Sequence, residues 1–379
     1  MKKLTSLITL LVAVAACGPK EKTVKIAVAV PLTGDIGTEG QGLRRAVELA
    51  IEEANASKRF PFKLEAAPFD DRADPKEAVN VANLIISDPR IVAVVGHYNS
   101  GCAIPAGKVY ARGPMPFITP AATNPQVTRQ QLEPDWQGPK VIFRVVPTDD
   151  VQGSFAARYV YQKLGKRSVS VIHDKTPYGQ GLAEQFEQEF VRLGGRLASK
   201  DGVSVGDKDY KALLTRLKEQ AKPEGVFFGG LYTESGLIVR QMRELGLKVP
   251  FFSGDASKTS GLFDVAGDAA DGVYATMVGI PVELLPSAKG FVEAYKKRWT
   301  GPSEELKPYD QFAYEAANIL LEAIAAAGAD RAKILEVLPR TRHKGILGET
   351  AFDEKGDTLN KIVTMTRADA RTRTFPAQN

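Results

Sequence analysis

Short apolar runs alternate with stretches of helical periodicity along most of this chain, and that alternation restricts the fold more than any other feature. Residues 24–30 are apolar at nearly every position, which suits a strand buried on both faces of a parallel sheet. A glycine-rich turn at 31–40 then leads into apolar residues at helical spacing over 43–51. The pattern repeats with strands at 62–69, 91–95 and 116–119 and helices at 76–87 and 103–110. Asp74 reads as the N-cap of its helix, with Pro75 in the first helical position and Glu77 three residues on. A second series follows a strand near 141–146. Its helices fall at 153–164, 181–193, 209–219 and 235–245, and its strands at 168–172, 225–228 and 249–253. Strands and helices in this rhythm predict parallel sheets covered on both faces. Two such series predict two α/β lobes, with crossovers near 145–148 and 274–278 as candidate hinges. A late apolar helix spans 319–327, and residues 352–357 form a turn between short strands.

The first residues are a separate module. Lys2 and Lys3 precede an apolar run over 4–16, too short for the ~20-residue helix that crosses a bilayer. Small residues lead into Cys17, which reads as a signal peptide over 1–16. Val14-Ala15-Ala16-Cys17 also resembles a bacterial lipobox, which implies a lipid on Cys17 and a tether over 17–23. The alternative is ordinary secretion with Cys17 incidental. Gly18 in place of aspartate leans, by the enterobacterial sorting rule, toward the outer membrane.

Composition excludes several classes. The formal charge of +5 falls to +3 without Lys2 and Lys3, and no compact basic block suggests nucleic acid. With Cys17 lipidated, Cys102 has no intramolecular partner, so the fold cannot depend on a disulfide; Cys102 reads as a small buried hydrophobe. His97, His173 and His343 lie far apart, which argues against a zinc site. Asp70, Asp71 and Asp74 are explained more cheaply by turns and capping than by a metal. No GxGxxG placement, GxxxxGK[ST] loop or Gly-x-Ser-x-Gly elbow appears, so neither a cofactor nor an enzymatic activity is expected. Tyr159, Tyr161, Phe186, Phe190, Phe227 and Phe228 read as core or helix-face aromatics.

In open α/β sheets ligands sit beyond the carboxyl ends of the strands. That rule selects the loops at 34–40, 97–101, 120–124 and 173–181, with 229–234 and 253–257 from the second series. Ser100 and Thr123 offer hydroxyls there, Ala121, Ala122 and Thr123 offer backbone N–H groups, and Asp174 and Asp255 offer carboxylates. An anion cradle facing a carboxylate suits a zwitterion such as an amino acid. A turn or capping role serves each of these residues equally well when taken alone.

The ordered set of loops resembles the periplasmic leucine/isoleucine/valine-binding proteins of branched-chain amino-acid ABC importers. The matching segments are 28–34, Asp70-Asp71 with 74–78, 119–123, His173-Asp174-Lys175 with Tyr178-Gly179 and 181–183, and 354–357. The resemblance implies the type I periplasmic binding protein fold: two Rossmann-like lobes joined by three hinge crossovers, here 24–147 with 278–345 and 148–277 with 346–379. It implies hinge closure around a ligand that touches both lobes. By resemblance, Ser100 and Thr123 with the backbone around Ala121 and Ala122 hold the α-carboxylate. Asp255 and the Ala121 carbonyl hold the α-ammonium, Tyr178 covers the ligand, and Tyr98 and Tyr309 line the side-chain pocket. Thr38 and Leu231 stand where well-known members carry aromatic residues, and Asp255 where they carry glutamate, so the pocket is expected to be reshaped. Ala73 and Asn99 replace a cysteine pair of those members. The implied partners are a small L-amino acid, leucine, isoleucine or valine among them, and ABC permease subunits, with a membrane reached through the lipid anchor. Two other uses stay open: sensing through a separate partner, and capture of short-chain amides, urea or another small carboxylate.

Overall fold

A computed structural model describes residues 22–378; the signal sequence, Cys17 and most of the tether lie outside the described residues. The first lobe is built on β1 (Thr23–Val30), β2 (Lys63–Asp70), β3 (Ile91–Gly96), β4 (Phe117–Thr119) and β5 (Ile142–Arg144). The second is built on β6 (Ser168–His173), β7 (Arg196–Gly202), β8 (Gly225–Gly229), β9 (Phe251–Ser253) and β10 (Tyr274–Val278). Then come a hairpin, β11 (His343–Gly345) and β12 (Gly348–Thr350), and β13 (Val363–Arg367). Sheet one runs β2-β1-β3-β4-β5 and sheet two β13-β10-β9-β8-β6-β7. Apart from the antiparallel β10–β13 pair, every pairing within these two sheets is parallel.

Counted within each lobe, both sheets have the order 2-1-3-4-5. The two lobes therefore share one topology, and each reverses direction at the same point, between β1 and β3 and between β6 and β8. Loops leaving the sheet at such a switch point diverge and open a crevice for a ligand. The central strands are apolar throughout because helices cover both faces: every residue of β3 and β8 is buried. In the second lobe Phe186 stacks on Phe227 with ring centroids 3.9 Å apart, and Phe190 stacks on Phe186 at 5.5 Å. Burying side chains of this kind contributes ~1.5–3 kcal/mol each.

The chain crosses between lobes three times. Residues 145–148 join β5 to the helix Asp149–Arg158. The second crossing begins at Gly279, after β10; the expected hinge at 274–278 is itself a strand of the second sheet. The third falls at 359–362, just before β13. The expected lobe boundary at 345/346 is corrected by this arrangement. Arg144 pairs with Asp357 in a parallel bridge, and the Phe143 and Phe352 rings pack 5.0 Å apart, so residues 346–358 lie on the first lobe. The Gly279 amide donates to Ile362 O and the Thr358 amide to Arg144 O, so the crossings run side by side.

Two further differences have physical causes. β7 carries the polar sequence RLASKDG on an exposed sheet edge and gives no apolar run to read. The helices at the cleft start earlier than their apolar periodicity, at Ser100, Pro177 and Tyr232, because their first turns are polar and face the crevice.

Candidate functional site

The loops at the carboxyl ends of β3, β4, β6, β8 and β9 converge where the two lobes meet. Thr119, the last residue of β4, ties two of them together. Its hydroxyl donates to His97 O at 2.9 Å and accepts from the Ala122 amide at 3.0 Å and, more weakly, the Ala121 amide at 3.4 Å. Those two amides are therefore committed within the loop, and the expected anion cradle is narrowed to hydroxyls and the Thr123 amide. Ser100 opens the helix Ser100–Arg112, and its Oγ accepts from the Asn124 amide at 3.2 Å. Thr123 is fully buried, and its hydroxyl has no geometrically satisfactory hydrogen-bond partner among the described residues.

Facing this loop from the second lobe is Asp255, 3% exposed at the end of β9. Tyr178 donates its hydroxyl to Asp255 Oδ1 at 2.8 Å, and Tyr309 reaches across from the first lobe to Oδ2 at 2.5 Å. The Tyr98 ring meets the Tyr309 ring edge-on at 5.2 Å. Tyr98, Ser100, Ala121, Ala122, Thr123, Tyr178, Asp255 and Tyr309 are thus all buried where the lobes meet. Leu231 stands just before the helix Tyr232–Glu244, half-buried and packed against hydrophobic core residues. Thr38 does not join this group. It lies exposed on an ≈830 Å³ groove shared with Asp35, Tyr232 and Lys307, while its neighbour Glu39 turns inward.

Burial raises the Asp255 carboxyl above the ordinary carboxylate range, against the opposing hydrogen bonds from Tyr309, Tyr178 and Gln152. A second carboxylate, missed by the sequence reading, lies close by. Asp149 is fully buried, and its Oδ2 has no geometrically satisfactory hydrogen-bond partner among the described residues. Burial first, and then the negative charge of Asp255, push its pKa well up, while the Thr123 hydroxyl and Arg144 favour the ionised form. Gln152 links the two acids, donating to Asp149 Oδ1 and accepting from the Asp255 amide. The signal for Asp149 was present as Thr148-Asp149-Asp150 at a helix start, but the helix was expected to begin only at Gly153.

Arg144 supports the cradle from below. This fully buried guanidinium donates to the carbonyls of Ala122 and Asn124 at 2.9 and 2.7 Å. It also pairs with Asp357 at 2.6 Å. One side chain so fixes the 120–124 loop between the first and third crossings. The lobes are held together beyond the cage by Asn124 donating to Pro177 O at 2.5 Å, Tyr232 to Asp35 O at 2.8 Å and Thr259 to Glu39 Oε1 at 2.8 Å.

Other candidate residues have local roles. Asp174 Oδ1 accepts from the amide and hydroxyl of Thr176, and Asp74 caps its helix through the Lys76 and Glu77 amides. Asp70 holds the Leu32 and Arg72 amides, and Asp71 bonds the buried His97 at 2.6 Å. Cys102 is buried, and that burial drives its thiol pKa far up.

Where the lobes meet, hydroxyl and amide groups of the first lobe thus stand on one wall and an acid held by two tyrosines on the other. The family model described as periplasmic binding protein matches residues 23–373. The Leu/Ile/Val-binding protein homolog 1 of Brucella abortus is 37% identical over 361 residues, 94% of this chain and 93% of that protein. A leucine-, isoleucine-, valine-, threonine- and alanine-binding protein of Pseudomonas aeruginosa is 35% identical, over 89% of this chain and 88% of that one. Among solved structures, a leucine binding protein of Thermotoga maritima superposes with a TM-score of 0.82 at 30% identity, covering 94% of this chain and 98% of that one. A branched-chain amino acid transporter substrate binding protein of Streptococcus pneumoniae, in complex with isoleucine, gives 0.84 at 25% identity, covering 94% and 99%. With its two doubly wound lobes and a polar cage between them, this chain belongs to the periplasmic binding protein family.

Proposed function

We propose that this protein is the substrate-binding component of an ABC importer and captures a compact L-amino acid between its closing lobes. The observation that carries this reading is the Asp255 carboxylate, contributed by one lobe and bonded by Tyr309 of the other, opposite the buried Thr123 hydroxyl. The α-carboxylate is received by Ser100 and Thr123, and the α-ammonium by Asp255. An ammonium there supplies the counter-charge that this buried acid lacks, so the ligand stabilises the closed form by contacts that an open form cannot make. The names of the relatives make leucine, isoleucine and valine the first ligands to try. Closure then presents one rigid surface spanning both lobes to the permease subunits. Cys17, as a lipidated residue, is the proposed attachment to the envelope membrane. Binding of amino acids to ligand-stripped protein, followed by small-angle scattering with and without ligand, tests the reading. Saturable binding with compaction is expected; a folded protein that binds no amino acid overturns it.

A further inference from the structure

The amino-acid reading leaves one buried charge unused. Glu39 projects from the first turns of the helix Gly37–Ala56 and is 1% exposed. Among the described residues its side chain accepts one hydrogen bond, from Thr259 of the opposite lobe. An ionised carboxylate has about four acceptor positions, so most of its capacity is free. The ammonium that helps it most is Lys307, but Lys307 is itself committed to Glu305 at 2.8 Å and Ser260 at 3.0 Å. Burial raises the Glu39 carboxyl above its ordinary range, with Lys307 and Thr259 opposing that rise.

Glu39 lies beside the cage, since its partner Thr259 follows closely on the turn Asp255–Ser257 that carries the Asp255 carboxylate. After burial itself, its charge is the largest influence on the Tyr98 hydroxyl, ahead of Asp255. No hydrogen-bond partner of that hydroxyl occurs among the described residues, and the Tyr98 ring packs on Tyr309, whose own hydroxyl is on Asp255. The cage thus runs from Asp255 past two tyrosines to a second acid, and the end that receives a side chain holds two polar groups with unused capacity. Apolar atoms placed there leave both unpaired, at a cost in affinity; a hydrogen-bond donor satisfies them.

We infer that Glu39 is a specificity-determining residue that selects, among compact L-amino acids, those whose side chain carries a hydrogen-bond donor. The inference rests on the amino-acid reading above. Sites built to bond a polar substrate group reject the analogue that lacks it far more strongly than apolar pockets reject the converse.

Isosteric pairs test it by calorimetry on the full mature chain: threonine against valine, and L-2,4-diaminobutyrate against norvaline. The wild type is expected to bind at least one donor member roughly tenfold or more tighter than its apolar isostere. In Glu39→Leu that ratio is expected to collapse or invert. In Glu39→Gln a hydroxyl preference survives and an ammonium preference is lost, which separates the two donors. Thr259→Val frees Glu39 from its present partner, and the preference is expected to be kept or to grow. An apolar preference in the wild type overturns the inference. So does a ratio that Glu39→Leu leaves unmoved while both affinities fall together, the mark of a residue that only latches the lobes. If Glu39→Leu fails to fold, the wild-type ratios with the Gln and Thr259 variants decide the matter. Silence toward every amino acid in the folded wild type refutes the amino-acid reading itself, a separate outcome.

Discussion

Asp255→Asn separates a ligand-pairing acid from a structural one, because the two roles move affinity and stability in different directions. The substitution keeps the shape of the side chain. Its amide oxygen accepts from one of Tyr178 and Tyr309, and its NH2 faces the other hydroxyl oxygen, which is able to accept. The charge alone is lost. Removing one partner of a buried ion pair costs about 3–5 kcal/mol, and tenfold in affinity is about 1.4 kcal/mol. Affinity for the amino acid should therefore fall on the order of a hundred- to several-thousand-fold. The ligand-free protein should respond otherwise. Burial raises the Asp255 pKa, so the folded state holds a proton more tightly than the unfolded state does. Stability then declines as pH rises from the unfolded pKa through the raised folded one. Asparagine does not titrate and escapes that decline. Scanning calorimetry of stripped protein should show the variant as stable as the parent, or more so, at pH 8, with no such gain at pH 4. Titration calorimetry should show the loss of affinity at the same pH. An affinity within about threefold of the parent, well under 1.4 kcal/mol, refutes the assignment of Asp255 to the ammonium. A fall in ligand-free stability at pH 8 shows instead that Asp255 is needed to hold Tyr178 and Tyr309.

Three further substitutions probe other parts of the account. Thr123→Val removes a buried hydroxyl without a geometrically satisfactory partner, so binding should weaken roughly 10- to 100-fold, the worth of a hydrogen bond to a charged group, with unfolding in urea little changed. Arg144→Met takes from the buried Asp357 its principal cation, leaving Lys355 at 3.9 Å, and should destabilise by up to about 3–5 kcal/mol in urea titrations; adding Asp357→Leu should restore part of that loss, and no recovery contradicts the pairing. Asp174 is pushed by burial up to about 6, so its folded form sheds its proton later than its unfolded form. Asp174→Asn should therefore stabilise by roughly 1–3 kcal/mol at pH 8 and not at pH 4, measured by thermal melts.

How much of this was legible in the sequence depended on the kind of signal each element leaves. Strands β3 and β8 are apolar throughout because they are buried on both faces, β1 is largely so, and that composition is visible without a structure. β7 is a polar edge, and nothing in RLASKDG separates it from a loop. The rule that ligands bind beyond strand ends picked out loops that the structure brings together between the lobes, and the resemblance placed Ser100, Thr123, Tyr178 and Asp255 on them. Which atoms remain free for a ligand was not legible. The Thr119 hydroxyl takes the Ala121 and Ala122 amides through a side chain whose direction no pattern reveals. Glu39 and Thr38 are neighbours on one turn, and only the rotation of that helix decides which of them faces the cleft. Asp149 was hidden for a similar reason, since a charged pair at a helix start is ordinarily read as solvated. The 346–358 segment was assigned to the wrong lobe because its anchor is a pairing with Arg144, more than 200 residues earlier in the chain.

The central claim is that closing lobes capture an amino acid through its zwitterionic head. The most direct measurement is calorimetric titration of refolded, ligand-stripped protein with the twenty L-amino acids and, for each ligand bound, its α-deaminated analogue. The expected result is saturable one-to-one binding of one or more compact L-amino acids and no comparable binding of the analogues, which carry no ammonium for Asp255. Equal binding of an amino acid and its deaminated analogue, or no binding across the panel by protein shown to be folded, contradicts the claim.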